Sequence, residues 1–125
     1  MARILIIDDD DDVRAVVRIG LESAGHQVLE ASDGELGLFA YAKHAPDLVL
    51  CDIFMSGKEG LETIRDLRSK HGDVKVIAMS GGLHGGEIDF LPIAKKFGAS
   101  HILAKPFQMQ NLMAAIDELI KTNSI

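Results

Sequence analysis

Residues 8–12 are five consecutive aspartates, and three further segments of the chain carry reactive groups of other kinds. Asp52 follows the apolar run Leu-Val-Leu-Cys, Ser80 follows Val-Ile-Ala-Met, and Lys105 follows Ile-Leu-Ala and precedes Pro106 and Phe107. Two or three carboxylates can hold a hard divalent cation such as Mg²⁺, which takes oxygen ligands and keeps some of its waters. An ammonium and a hydroxyl can match the charge that spreads over phosphoryl oxygens during transfer. One carboxylate would be the nucleophile. If the four segments meet, the chemistry they specify is phosphoryl transfer to a carboxylate.

Whether they meet depends on the elements that carry them. Short apolar runs at residues 4–7, 28–31, 48–51, 76–79 and 101–104 are continuous rather than alternating, as expected of strands buried on both faces. Helical patterns lie between them. Val13, Val16, Val17, Leu21 and Ala24 recur at spacings of three and four, and Gly25 supplies a stop. A weaker helix is expected from near Asp33 to before Pro46, because Gly34 and Gly37 lower its propensity. Leu61, Ile64 and Leu67 mark a third helix ended by His71 and Gly72, and Leu91, Ala94 and Phe97 a fourth ended by Gly98. Leu112, Ile116, Leu119 and Ile120 mark the last. Strict alternation of strand and helix predicts an α/β fold, a doubly wound five-stranded parallel sheet flanked by five helices. Such sheets carry their sites at the carboxyl ends of the strands, which is where Asp8, Asp9, Asp52, Ser80 and Lys105 fall.

The quoted blocks together resemble the signature of response-regulator receivers. They are Ile-Leu-Ile-Ile-Asp8-Asp9-Asp10, Pro46-Asp47 through Asp52-Ile-Phe-Met55, Ile77 to Gly81, and Gly98-Ala99-Ser100 followed by Lys105-Pro106-Phe107. The resemblance runs from Arg3 to about Lys121. It implies a flavodoxin-like receiver domain over residues 1–125, acting in bacterial two-component signalling. It implies that Asp52 is the phosphoacceptor and a metal ligand, that Asp8 and Asp9 organise Mg²⁺ with Asp9 the preferred direct ligand, and that the backbone carbonyl of Phe54 completes the protein ligands. Ser80 matches the switch hydroxyl and Lys105 the family's lysine, with a cis bond to Pro106. The implied partners are a sensor histidine kinase or a histidine phosphotransfer protein, and a downstream protein target. The role implied is a switch that assists its own phosphorylation, not a turnover enzyme.

Three positions depart from the family pattern. Ser56 stands where a proline is usual, and Glu59-Gly60 where Asp-Gly is usual. Ile102 occupies a place often held by an aromatic. The segment after Ser80 carries four glycines before Glu87, which gives its backbone wide freedom.

Composition narrows the alternatives. The chain has 125 residues, 47% of them hydrophobic, a size and content suited to one core. Its formal charge of −6 argues against direct nucleic-acid binding, which needs clustered cations. Arg14 and Arg18 sit together at helical spacing, which a solvated face explains as well as any binding role. The start of the chain lacks the apolar length of a signal peptide and no apolar run approaches a membrane span, so a cytoplasmic setting without membrane contact is expected. With no output domain after Ile125, the chain is expected to be a stand-alone receiver or a piece of a longer regulator. The single Cys51 is read as a small buried hydrophobe, and Met79 and Met109 as core filling.

An EF-hand beginning at Asp8 would need Gly at Val13 and Glu at Ile19, so it fails. A dehalogenase-type phosphatase would need a second Asp at Phe54. A flavin module would need a phosphate cradle where this chain places five carboxylates.

Overall fold

The computed structural model describes residues 2–53, 60–80, 95–105 and 107–121, with the backbone alone at Ser80 and Lys121. The elements run β1 (Arg3–Ile7), α1 (Asp11–Ser23), β2 (Gln27–Ala31), α2 (Gly34–His44), β3 (Leu48–Asp52), α3 (Gly60–His71), β4 (Val76–Ser80), β5 (His101–Ala104) and α4 (Met109–Lys121). Residues 95–97 are helical and end the helix expected at residues 91–97; Leu91 and Ala94 lie outside the described residues. The strands form one sheet in the order β2-β1-β3-β4-β5, every pair parallel.

The pleat explains why the strands read as unbroken apolar runs. Successive residues point to opposite faces, and both faces are covered. Leu5, Ile7, Val49, Cys51, Val76 and Ala78 pack into a core with Ile64 and Leu67 of α3 and with Leu38 and Tyr41 of α2. Ile4, Ile6, Leu48, Leu50, Ile77 and Met79 pack into the other core, with Val17 and Leu21 of α1 and Leu112, Ala115 and Ile116 of α4. Met109 lies partly buried against this second core, as expected. Burying both faces is the main stabilising contribution, at about 25 cal/mol per Å² of apolar surface removed from water.

Local chemistry sets the ends of the helices. The Asp10 side chain caps α1, accepting from the backbone N–H groups of Asp12 at 2.9 Å and Val13 at 3.2 Å. Asp11 and Asp12 complement the positive end of the helix dipole. At the other end Gly25 adopts φ 93°, and His26 N–H donates to the Leu21 carbonyl at 3.0 Å, a Schellman stop. Asp33 caps α2 through Leu36 N–H at 2.8 Å. Gly37, one of the glycines that weaken α2 as a helix, lets it approach the sheet, since a Cβ there would lie 2.4 Å from Ile7 Cδ1.

Candidate functional site

The switch point of this strand order lies between β1 and β3, and the crevice outside their carboxyl ends is where a doubly wound sheet places its site. The two strands pair in the register Ile6 with Leu50 and Ile7 with Cys51, so Asp8 and Asp52 come next along it. Both are two residues beyond side chains of the α1/α4 face, and the pleat therefore sends their carboxylates to the same side. Asp52 is still held in the sheet by its pairing with Met79, and Asp8 N–H donates to the Ala31 carbonyl at 3.1 Å.

Asp8 is 0% exposed, Asp52 is 5% exposed, and Asp9 is exposed. Carboxylate oxygens of the three lie within 4.8 Å of one another. Lys105, next after the Ser80–Ala104 pairing of β4 with β5, reaches over the strand ends to this group. Its Nζ lies 2.7 Å from Asp8 Oδ2 and 3.5 Å from Asp52 Oδ2. The other oxygen of Asp8 accepts from the Asp10 N–H at 3.0 Å. Burial alone would lower the pKa of the Lys105 ammonium. The hydrogen bond from Asp8 and the charges of Asp52 and Asp8 outweigh burial and hold it above its ordinary value. Lys105 is therefore a fixed positive charge at any neutral pH.

Three carboxylates at this spacing offer only oxygen donors, which suits a hard divalent cation and not a soft transition metal. The acidic pocket can thus hold a metal ion. The remaining expected members, the Phe54 carbonyl, the Ser80 side chain and the Lys105–Pro106 bond as cis, lie outside the described residues. So do Met55, Ser56, Glu59 and the glycine segment after Ser80.

Cys51 is fully buried, as expected of a small hydrophobe. Burial above all, with the charges of Asp52 and Asp8, pushes its thiol far above the usual range, so it stays a neutral thiol. Gly60 proves more than a retained family residue. A Cβ there would lie 1.9 Å from the Asp52 carbonyl oxygen and 2.6 Å from Ile53 Cα, so the start of α3 rests directly on the backbone that carries Asp52. Arg14 requires a correction, because its side chain is 14% exposed and not on a solvated face. Arg18 is more open and pairs with Glu22 and Glu30.

Beside the carboxylates runs a mostly apolar hollow of about 440 Å³, lined by Asp12, Val13, Val16, Val17, Lys105, Phe107 and Met109. Val16, on its α1 side, is 62% exposed, and Ile19 of the same helix is 67% exposed. Among the described residues no helix is long and apolar enough to cross a membrane.

A family model described as the response regulator receiver domain matches residues 4–117. The chain is 30% identical to sporulation initiation phosphotransferase F of Bacillus subtilis, over 98% of this chain and 96% of that protein. It is 34% identical to the transcriptional regulatory protein CpxR of Klebsiella pneumoniae over 97% of this chain, spanning 50% of that longer protein. A response regulator receiver domain protein from Clostridium thermocellum superposes with a TM-score of 0.90 at 30% identity, covering 99% of this chain and 98% of that one. The receiver domain of NtrX from Brucella abortus does so with a TM-score of 0.88 at 30% identity, covering 95% and 98%. By the family model over residues 4–117 and these relatives, the chain belongs to the response regulator receiver domain family of two-component signalling.

Proposed function

We propose that Asp52 accepts a phosphoryl group from a phosphohistidine of a sensor histidine kinase or histidine phosphotransfer protein, and that the phosphorylated domain changes its affinity for a downstream protein. The observation that carries this reading is the convergence of Asp8, Asp9 and Asp52 within 4.8 Å, with Lys105 Nζ touching two of them. A carboxylate oxygen of Asp52 forms the new bond to phosphorus as the phosphorus–nitrogen bond breaks, and its electron pair returns to the imidazole ring. Mg²⁺, held by Asp8, Asp9, Asp52 and the Phe54 carbonyl, would supply neutralisation of the phosphoryl oxygens. Lys105 places its ammonium beside the nucleophile, and Ser80 at the end of β4 would offer a hydroxyl donor. Hydrolysis of the acyl phosphate resets the switch, so the domain is not an enzyme that turns over a free substrate.

A donor protein must cover this crevice, and the apolar hollow beside it with Val16 and Ile19 suits that contact. Residues 1–125 are taken as one receiver domain, and the cytoplasm, where such donors are phosphorylated, as its setting. Incubation with acetyl phosphate and Mg²⁺ should add one phosphoryl mass to the wild type and none to Asp52→Asn. Label on Asp52→Asn at another residue would overturn the assignment. Turnover of a generic phosphate ester would instead favour a phosphatase.

A further inference from the structure

Arg14 has no part in the reading above, yet its side chain is among the more enclosed of the charged ones. It sits in the first turns of α1 and its guanidinium reaches three separate segments. Nη1 donates to the main-chain carbonyl of Asp8 at 2.7 Å. Nε donates to Glu30 Oε1 in β2 at 3.0 Å, and Nη2 pairs with the Asp11 carboxylate. Glu30 is itself held, because its second oxygen accepts from Arg18 Nη1 at 2.6 Å. The hydrogen bond from Arg18, opposed by partial burial and helped by Arg14, keeps the Glu30 carboxyl below its ordinary pKa. The planar fork of an arginine can make three such contacts at once, which a lysine ammonium on a flexible stem cannot reproduce.

The Asp8 carbonyl belongs to the peptide plane that also contains the Asp9 N–H. Holding that oxygen holds the plane, and with it the direction in which Asp9 leaves the backbone. Asp8 and Asp52 are buried and Asp9 is exposed, and the Asp8–Asp9 peptide plane sets the direction from which the Asp9 side chain starts. We propose that Arg14 is a positioning residue for the acidic site. It clamps the Asp8–Asp9 peptide to β2 and to the first turn of α1, and so pre-sets the Asp9 carboxylate for a divalent cation. This rests on the reading that Asp8, Asp9 and Asp52 bind Mg²⁺.

The sign of the effect separates positioning from simple charge. Arg14 is a cation near a cation site, so as a bare charge it would weaken Mg²⁺ binding, and its removal would tighten it. As a clamp it does the reverse. The chain has no tryptophan, so Mg²⁺ binding is best followed by titration calorimetry on the full chain, with far-ultraviolet circular dichroism to check the fold. Arg14→Met should weaken Mg²⁺ by about tenfold, the loss typical when a group that orients a metal ligand is removed. Arg14→Lys, which keeps the charge among its acidic neighbours and loses the fork, should weaken it as well and carries the test if Arg14→Met does not fold. Unchanged or tighter binding by Arg14→Met, or wild-type affinity in Arg14→Lys, would overturn the clamp alone. A wild type that takes up no Mg²⁺ would overturn the reading of the acidic site and the clamp together.

Discussion

Asp8 has no exposed surface, and its charge is tolerated because Lys105 Nζ sits 2.7 Å away and the Asp10 N–H supports the other oxygen. Removing one member of a buried pair leaves the other charge uncompensated, which typically destabilises by about 3 kcal/mol or more. Lys105→Met should therefore melt well below the wild type without metal, and Mg²⁺ should restore more stability to it than to the wild type. Asp9→Ala should behave oppositely. Loss of one carboxylate relieves repulsion in the crowded group, so its metal-free melting temperature should hold or rise, while its Mg²⁺-dependent rise disappears. Circular dichroism melts with and without Mg²⁺ check both, and a full metal-dependent rise in Asp9→Ala would remove Asp9 from the ligand set. The pKa of Lys105 is raised by folding, so its contribution is constant below about 10.5 and is lost only as pH climbs through the higher folded value. The places of Asp8, Asp52 and Lys105 were legible in the sequence because each directly follows an apolar run, and that of Asp9 because it follows Asp8. Arg14 was not, because helix spacing reveals neighbours such as Asp11 but not Glu30 or a carbonyl brought in by the sheet.

At the scale of elements, each strand was legible from its apolar run; β1 and β2 begin one residue before it, and β3 and β4 extend one residue past it to include Asp52 and Ser80. What the pattern could not give was contact between elements. Gly60 lies outside any apolar period, and its packing against the Asp52 carbonyl exists only once α3 meets β3. Gly60→Ala must push that backbone apart, so it should destabilise by about 2–3 kcal/mol or more and slow phosphorylation of Asp52 by acetyl phosphate. Gly25→Ala is the useful comparison, since φ 93° strains any side chain but nothing lies within 4 Å. It should destabilise by about 1 kcal/mol and leave the phosphorylation rate alone. Equal rates in the two variants would separate Gly60 from the acceptor geometry. The outward face of α1 makes a different prediction. Val16→Asp, at an exposed position, should change stability by no more than about 0.5 kcal/mol. It should slow transfer from a phosphohistidine donor protein by roughly tenfold while transfer from acetyl phosphate is unchanged. Equal slowing with both donors would place the defect in the site and not in docking.

Across the whole molecule the sheet is most deeply buried at its centre. β3 is buried throughout, β1 at all but its first residue and β4 at every residue whose side chain is described, whereas β5 at the edge is only partly buried and its last residue is exposed. Lys105 joins that less buried edge to the buried carboxylates of the centre. A phosphoryl group on Asp52 brings new negative oxygens to this junction, and the ammonium must then divide its contacts between Asp8 and the phosphoryl group. The buried centre resists displacement, because interiors are close-packed. The less buried edge can respond. Ile102 in β5 packs partly buried against the α2/α3 core and has no polar tip, so it can transmit the change only by repacking. Beryllofluoride with Mg²⁺, as a mimic of the phosphoryl group, should therefore alter amide exchange at residues 101–105 while β1 and β3 stay highly protected. Measured with and without the mimic, a change at the β5 edge that disappears in Lys105→Met would establish the lysine as the link. Unchanged exchange at residues 101–105, with the response confined to β2 and α2, would show that the signal leaves by the opposite edge of the sheet.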